Sequence, residues 1–266
     1  MSLKSNGLLC FLLCSMTLSG SAFAGGYTVE PPQSSDSFEL IGGAGVAQLA
    51  AGDGELGVTS SETDKLVDPS NDWNTFAAQL GLGYLHYFGN AYRYPAHTEW
   101  FPSAEPQLNA YYLGKNNIYG NVWRFNSSNF NQLTYAMPFE SIRAMADLAL
   151  TIVSKQWISL YGIGGVGYAW NNLGYTDSDN GGTSCPNQVL NLNSHTNGDF
   201  SWEAGGGLNF LLGDDVSLFV EYLYVDLGKG QSSANGTSGT ITAPVISPAS
   251  VDLSAQTGLI GLHVAI

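Results

Sequence analysis

The chain has 266 residues, of which 33 are Gly and only 8 are Lys or Arg. Charged residues make up 11%, against about a quarter in an ordinary soluble domain, and no run of apolar residues is long enough for a transmembrane helix. Fourteen Tyr, 12 Phe and 6 Trp carry too much apolar bulk for a disordered chain, and a net charge of −14 excludes a nucleic-acid surface.

Residues 1–24 read as a secretory signal peptide: one early cation, Lys4, an apolar stretch from Leu8 to Leu18, then the small-x-small signature Ala22-Phe23-Ala24. Cys10 and Cys14 lie inside it. Each follows a Leu, where a lipoprotein acceptor Cys would follow a small residue. Losing Lys4 moves the net charge from −14 to −15, and Cys185 alone survives, so no intrachain disulfide is expected. Residues 25–37 form a polar, Pro-containing lead-in to a domain over 38–266.

Within that domain a two-residue hydrophobic period predicts strands. Segments 38–51, 73–88, 105–113 and 157–171 follow it loosely. Ser141 to Val153 is the clearest: Ile142, Ala144, Ala146, Leu148, Leu150 and Ile152 oppose Ser141, Arg143, Asp147 and Thr151. Its Ala and Met content leaves a helix as the minority reading. Phe200, Trp202, Ala204, Leu208 and Phe210 then oppose Ser201, Glu203 and Asn209. Val216, Leu218, Val220, Tyr222 and Tyr224 oppose Ser217 and Glu221. Ile260, Leu262, Val264 and Ile266 oppose Thr257 and His263. That makes eight strand candidates. The connections 153–156 and 213–215 are short; 52–71, 114–140, 172–199 and 229–253 are long and polar. The exception is 89–104, long where a short turn is due, which leaves a ten-strand count open.

Alternation alone also fits a soluble sandwich, so the sign of the apolar face decides. So few charges would cover a soluble exterior poorly. Turned inside out, the pattern fits an all-β, closed antiparallel transmembrane barrel: lipid meets Leu, Val, Ile and aromatics, and closure satisfies every backbone polar group. Tyr84, Tyr168, Trp170, Trp202, Tyr222 and Tyr224 then fall near strand ends on the outer face, as an interfacial girdle, although aromatics are common in any strand. Glu39, Glu105, Arg143, Asp147, Glu203, Glu221 and His263 point inward. Eight strands leave an interior that side chains fill, so these form a polar plug in which Arg143 pairs with one or two carboxylates.

Other motifs carry little. Gly162-Ile163-Gly164-Gly165-Val166-Gly167 matches a dinucleotide fingerprint but lies inside a strand pattern, without the helix the motif needs. Asp177-Ser178-Asp179-Asn180-Gly181-Gly182 resembles a calcium loop with drifting spacing and Gln188 in place of the closing Glu; a solvated turn is the simpler account. His86, His97, His195 and His263 form no metal-like pair, and no GxSxG elbow is present. No catalytic residue, metal or cofactor is expected.

The run Val220-Glu221-Tyr222-Leu223-Tyr224-Val225-Asp226-Leu227-Gly228 resembles the penultimate-strand signature of small outer-membrane β-barrels of the OmpA/OmpX and opacity-protein type. The resemblance implies a Gram-negative outer-membrane location, with lipid and lipopolysaccharide around the barrel and termini in the periplasm. It also implies four surface loops and assembly by the barrel-insertion machinery. Such proteins usually end in an aromatic residue; this chain ends in Ile266, and no peptidoglycan-binding domain follows its last strand.

The long connections carry Asp53, Glu55, Glu62, Asp64, Asp68, Asp177, Asp179 and Asp199, against Lys65 and Arg124. They could present an acidic surface to host molecules or divalent cations, or could simply keep loops soluble. Three functional classes follow: a structural, surface-exposed barrel whose loops mediate adhesion, a small pore for ions or solutes, and a membrane-embedded lipid enzyme.

Overall fold

Strands that alternate in polarity must hide their edges when lipid surrounds them, and this chain does so by closing on itself. The computed structural model describes residues 36–71, 74–88, 92–94, 98–100, 102–155, 157–179, 189–213 and 215–266. The signal peptide, most of the lead-in and Cys185 lie outside them. The strands are β1 (Ser37–Thr59), β2 (Glu62–Asn71), β3 (Thr75–Tyr87), β4 (Tyr92–Tyr94), β5 (Thr98–Trp100), β6 (Ser103–Trp123) and β7 (Asn131–Lys155). They continue with β8 (Ile158–Asp179), β9 (Leu190–Leu211), β10 (Val216–Gln231), β11 (Gly236–Ser238), β12 (Ile241–Thr242) and β13 (Ser247–Ala265).

Antiparallel neighbours run β1, then β2 with β3, then β6, β7, β8, β9, β10 and β13. The ring closes where Glu39 to Gly57 on β1 pair with Ala265 to Ser247 on β13. β2 and β3 are successive parts of one staircase, both pairing β1 and β6, so the barrel has eight strands. The ten-strand alternative falls. Within the irregular 89–104 connection, β4 and β5 pair only with each other, in a separate two-stranded sheet.

The segment around Gly162–Gly167 is strand throughout, and Ser141 to Val153 is strand with the expected parity: Ile142, Leu148, Leu150 and Ile152 are exposed and Ser141, Arg143 and Asp147 are buried.

One expectation is corrected. The long polar connections are mostly strand. β7 has 25 residues, β1 has 23, and β8 and β9 have 22 each, whereas crossing a bilayer takes about 9–11. The barrel therefore continues well beyond the lipid, and the β1–β2 tip is a turn at 60–61. Polar composition concealed these strands because the exterior parity there faces water.

The apolar face changes side at the same place. On β7, the inward residues up to Ser141 are polar or small apart from Met145, but beyond it they are Phe139, Met137, Tyr135 and Leu133, all buried. On β10, inward Ser217, Phe219 and Glu221 give way to a wholly apolar run, Leu223, Val225 and Leu227. The outward residues turn polar at that level: Asp226 on β10 and Gln256 on β13 flank Trp202 and Tyr224 in register. The lumen thus gathers its polar side chains inside lipid, among buried Ile41, Met145, Ile163 and Phe219, and is mostly apolar inside water. Its outer half packs Leu56, Leu66, Ile118, Val122, Met137, Leu173, Tyr175, Leu190, Val251 and Leu253 into one core.

Candidate functional site

The lumen of the lipid-embedded half is the candidate site, because eight inward-facing strand surfaces bring polar side chains together there. All seven sequence-predicted residues, Glu39, Glu105, Arg143, Asp147, Glu203, Glu221 and His263, are buried. They form two groups.

At the end that carries the termini, Glu39 on β1 and His263 on β13 meet, with Glu39 Oε2 2.8 Å from His263 Nδ1. Glu105 on β6 reaches the same imidazole nitrogen at 3.8 Å. The edge of Phe219 packs against the His263 ring at a centroid distance of 4.9 Å.

Deeper in the barrel, Arg143 Nε donates to Glu203 Oε2 at 3.1 Å, and its Nη2 stands 3.0 Å from the same oxygen. The guanidinium lies 4.0 Å over the Tyr111 ring, an arrangement in which cation and quadrupole attract. Arg143 therefore pairs with one carboxylate, Glu203. Tyr161 donates to Glu221 at 3.0 Å, and Asn109 donates to both Asp147 (2.8 Å) and Gln107 (2.9 Å). Gln79 donates to the Tyr111 hydroxyl at 3.2 Å. Ser141 donates to Asn171 at 2.8 Å, and Asn171 in turn donates to the backbone carbonyl of Leu227.

Sequence reasoning missed Tyr111, Tyr161, Gln79, Gln107 and Asn109. The signal was available: Gln107, Asn109 and Tyr111 share the parity of Glu105 on β6.

Small residues make this crowding feasible. A Cβ added at Gly165 would stand 1.8 Å from Asp147 Oδ1, and one at Gly83 would stand 2.1 Å from Glu105 Oε1. Each carboxylate lies in the niche that its neighbour strand's glycine leaves open. The carboxylates remain under-supplied with donors even so: one oxygen each of Glu105, Asp147, Glu203 and Glu221 lacks a protein hydrogen-bond partner.

Of the expected girdle residues, Tyr168, Trp170, Trp202, Tyr222 and Tyr224 are exposed on the outer surface. Trp202 and Tyr224 rings lie 5.6 Å apart, Tyr168 and Trp170 5.3 Å. They mark the level at which the exterior turns polar. Tyr84 stands at the opposite end beside Phe38, its hydroxyl donating to Asp36 at 2.9 Å.

The acidic connections look different from their composition. Asp64 and Asp177 are buried inside the outer half. Asp64 accepts from the Phe125 amide at 3.0 Å; Asp177 accepts from the Leu190 amide at 2.6 Å and the Tyr175 hydroxyl at 3.2 Å. Burial pushes the Asp64 carboxyl up to about 6 and Asp177 up to about 7. Glu62 pairs with Arg124 and Asp53 with Lys65. Asp199 accepts from the Lys229 amide at 2.8 Å, and Asp68 from Asn121 at 3.3 Å. Asp177, expected in a solvated turn, is instead a buried carboxylate within β8, and residues 180–188 of that motif lie outside the described residues.

The water-facing tips carry apolar side chains instead. Phe125 and Phe130, in the 124–130 turn, are 50% and 46% exposed, and Ile241 and Ile246 are 71% and 63% exposed. The two Phe rings meet edge-on at 5.8 Å, while Phe125 and Asn126 hold φ of 53° and 54°, a conformation non-glycine residues rarely adopt.

Comparison with known proteins follows this architecture. The family model described as outer membrane protein beta-barrel domain matches residues 10–245. No curated protein matches the chain in sequence. Among solved structures, the chain is similar to the attachment invasion locus protein Ail of Yersinia pestis, solved with the heparin analogue sucrose octasulfate. That match has 16% identity, 86% of this chain and 99% of that one covered, and a TM-score of 0.35. It is also similar to the outer membrane protease OmpT of Escherichia coli (9% identity, 88% and 97% covered, TM-score 0.45). A third is OprG of Pseudomonas aeruginosa (10% identity, 87% and 95% covered, TM-score 0.40).

Proposed function

The chain belongs to the outer-membrane β-barrel protein family, and from that premise we propose that it is a non-catalytic, surface-exposed barrel that engages partners through its loop tips. The observation that carries this reading is the apolar character of those tips. Phe125, Phe130, Ile241 and Ile246 stand exposed at the end that faces water, above an outer half whose large apolar residues mostly point inward, Tyr119 apart. Exposed apolar groups clustered away from lipid mark interaction surfaces. The left-handed backbone at Phe125 and Asn126 adds local strain of a kind concentrated at functional sites. The partner is a molecule at a host or neighbouring cell surface with apolar groups to offer. An acidic patch is a weaker candidate, because Asp53, Glu62, Asp64, Asp68, Asp177 and Asp199 are buried, ion-paired or hydrogen-bonded within the barrel wall.

The test is attachment of intact cells that display the protein. Replacing Phe125 and Phe130 together with Ser is expected to abolish attachment while leaving heat-modifiable gel mobility unchanged. Attachment that survives the double replacement in a folded barrel would overturn the reading.

The pore reading is disfavoured by the filled lumen, since a solute would have to cross both the Arg143–Glu203 layer and the apolar core around Leu66 and Leu173. Planar-bilayer recordings are expected to show no stable steps; discrete single-channel steps would revive it.

A further inference from the structure

We propose that Glu39, Glu105 and His263 form a binding site for a divalent transition-metal ion of the zinc class, inside the terminal end of the barrel. These residues come from three strands, β1, β6 and β13, and their ligand atoms all lie within 4.8 Å of one another. Donors around a zinc ion sit about 2.0–2.2 Å from it, hence about 3.4 Å from each other in a tetrahedral set. His263 Nδ1 is 2.8 Å from Glu39 Oε2 and 3.8 Å from Glu105 Oε2, so these pairs need shifts of about 0.6 Å apart and about 0.4 Å together to reach that spacing.

An independent observation points to a ligand. Glu105 is only 7% exposed and has the Gln107 side chain beside its carboxylate, yet its Oε1 has no hydrogen-bond partner and its Oε2 lies 3.8 Å from the imidazole nitrogen it faces. A buried carboxylate left in that state is costly. Charge count supports the assignment. Five carboxylates line the lumen, and Arg143 reaches only Glu203; a doubly charged ion at the trio offsets part of that negative charge.

The surroundings suit a positioned ligand set. Phe219 packs on the His263 ring and limits its rotation, and Gly83 leaves room for the Glu105 carboxylate against β3. Mixed imidazole and carboxylate donors favour zinc, cobalt, manganese or ferrous iron over calcium and magnesium, which prefer oxygen alone. Three protein donors leave a position open toward the lumen.

The experiment uses the full mature chain, folded in detergent, stripped with chelator and dialysed against Zn²⁺ or Co²⁺. One equivalent of Zn²⁺ per chain is expected, with Co²⁺ giving visible absorption and a paramagnetically shifted imidazole proton resonance. Glu105→Gln and His263→Gln are each expected to weaken Zn²⁺ binding by more than the roughly 10–100-fold that loss of an outer hydrogen-bond partner costs a metal site. Glu62→Gln, in the outer half, leaves binding unchanged. Failure of the folded wild-type barrel to bind one equivalent, or unchanged affinity in folded Glu105→Gln, would overturn the proposal. If either variant fails to fold, the cobalt-loaded wild type decides alone: no shifted imidazole resonance means no site.

Discussion

The two halves of this barrel use the same strands with opposite sign. On β7, Ile142, Leu148, Leu150 and Ile152 face outward and Arg143 and Asp147 inward; ten residues earlier in the same strand, Tyr135, Met137 and Phe139 face inward. The register with β8 runs unshifted from Leu133 to Thr151 across both halves, and β7 keeps one parity throughout although its register with β6 slips at Leu113/Asn116 and Val122/Trp123, so the parity of β7 is not what changes. Solvent is. Lipid around the lower half accepts apolar side chains and gives polar ones nowhere to go but the lumen. Water around the upper half reverses the preference and gives it an ordinary hydrophobic core. Alternation therefore predicts a strand, and only the surrounding medium says which parity is buried.

The two halves should also fail differently. In the lower half, Arg143 holds Glu203, and both side chains are almost wholly buried. Arg143→Met leaves that carboxylate without its cation, a loss of about 3–5 kcal/mol for a buried pair broken on one side. The expected result is a lower unfolding midpoint in detergent and urea, followed by heat-modifiable mobility. Adding Glu203→Gln to that variant should recover much of the loss, since the stranded charge goes with it. Unchanged heat resistance in Arg143→Met would mean that the polar layer does not hold the lower half together.

In the upper half, Leu173 is fully buried within the apolar core. Leu173→Ala is expected to cost about 2–5 kcal/mol, the range for truncating a buried leucine. Its signature should be local: faster amide exchange and protease cleavage along the outer stretches of β7, β8 and β9, with the lipid-embedded stretches still protected. Uniform loss of protection in both halves would show that the barrel unfolds as one unit and that the boundary between the halves has no thermodynamic meaning.

How much of this was legible in the sequence follows from the same boundary. Segments such as 141–153 and 216–224 were readable because lipid-facing residues there are uniformly apolar, and the inward polar set followed by parity. The outer strands look like loops in sequence because their outward positions, among them Thr134, Asn172, Thr176 and Asn191, supply turn-like composition. Asp64 and Asp177 were placed on the surface for the same reason; no local pattern marks an aspartate whose partners, the amides of Phe125 and Leu190, lie in other segments. The trio of Glu39, Glu105 and His263 was recovered residue by residue but not as a cluster. Two of its members are 224 positions apart in the chain, and only barrel closure brings them together.

Those two aspartates sharpen the comparison through pH. Burial lifts Asp64 to about 6 and Asp177 to about 7, from an ordinary value of 3.8. A carboxyl whose pKa is raised on folding binds its proton more tightly in the native state, so the upper half is most stable below pH 4. That stability declines as pH rises, through about 6 for Asp64 and about 7 for Asp177, and above this both carboxylates are charged inside an apolar core. Amide exchange across the outer stretches of β8 and β9 should accelerate between about pH 4 and 7 beyond the intrinsic chemical dependence. Asp177→Asn retains the acceptor for the Leu190 amide and removes the charge, so it is expected to flatten that profile and to slow exchange most at the alkaline end. The direction matters more than the size. An outer half that instead tightens as pH rises would mean that these carboxylates are stabilised as anions, and that the upper core is wetter than its packing indicates.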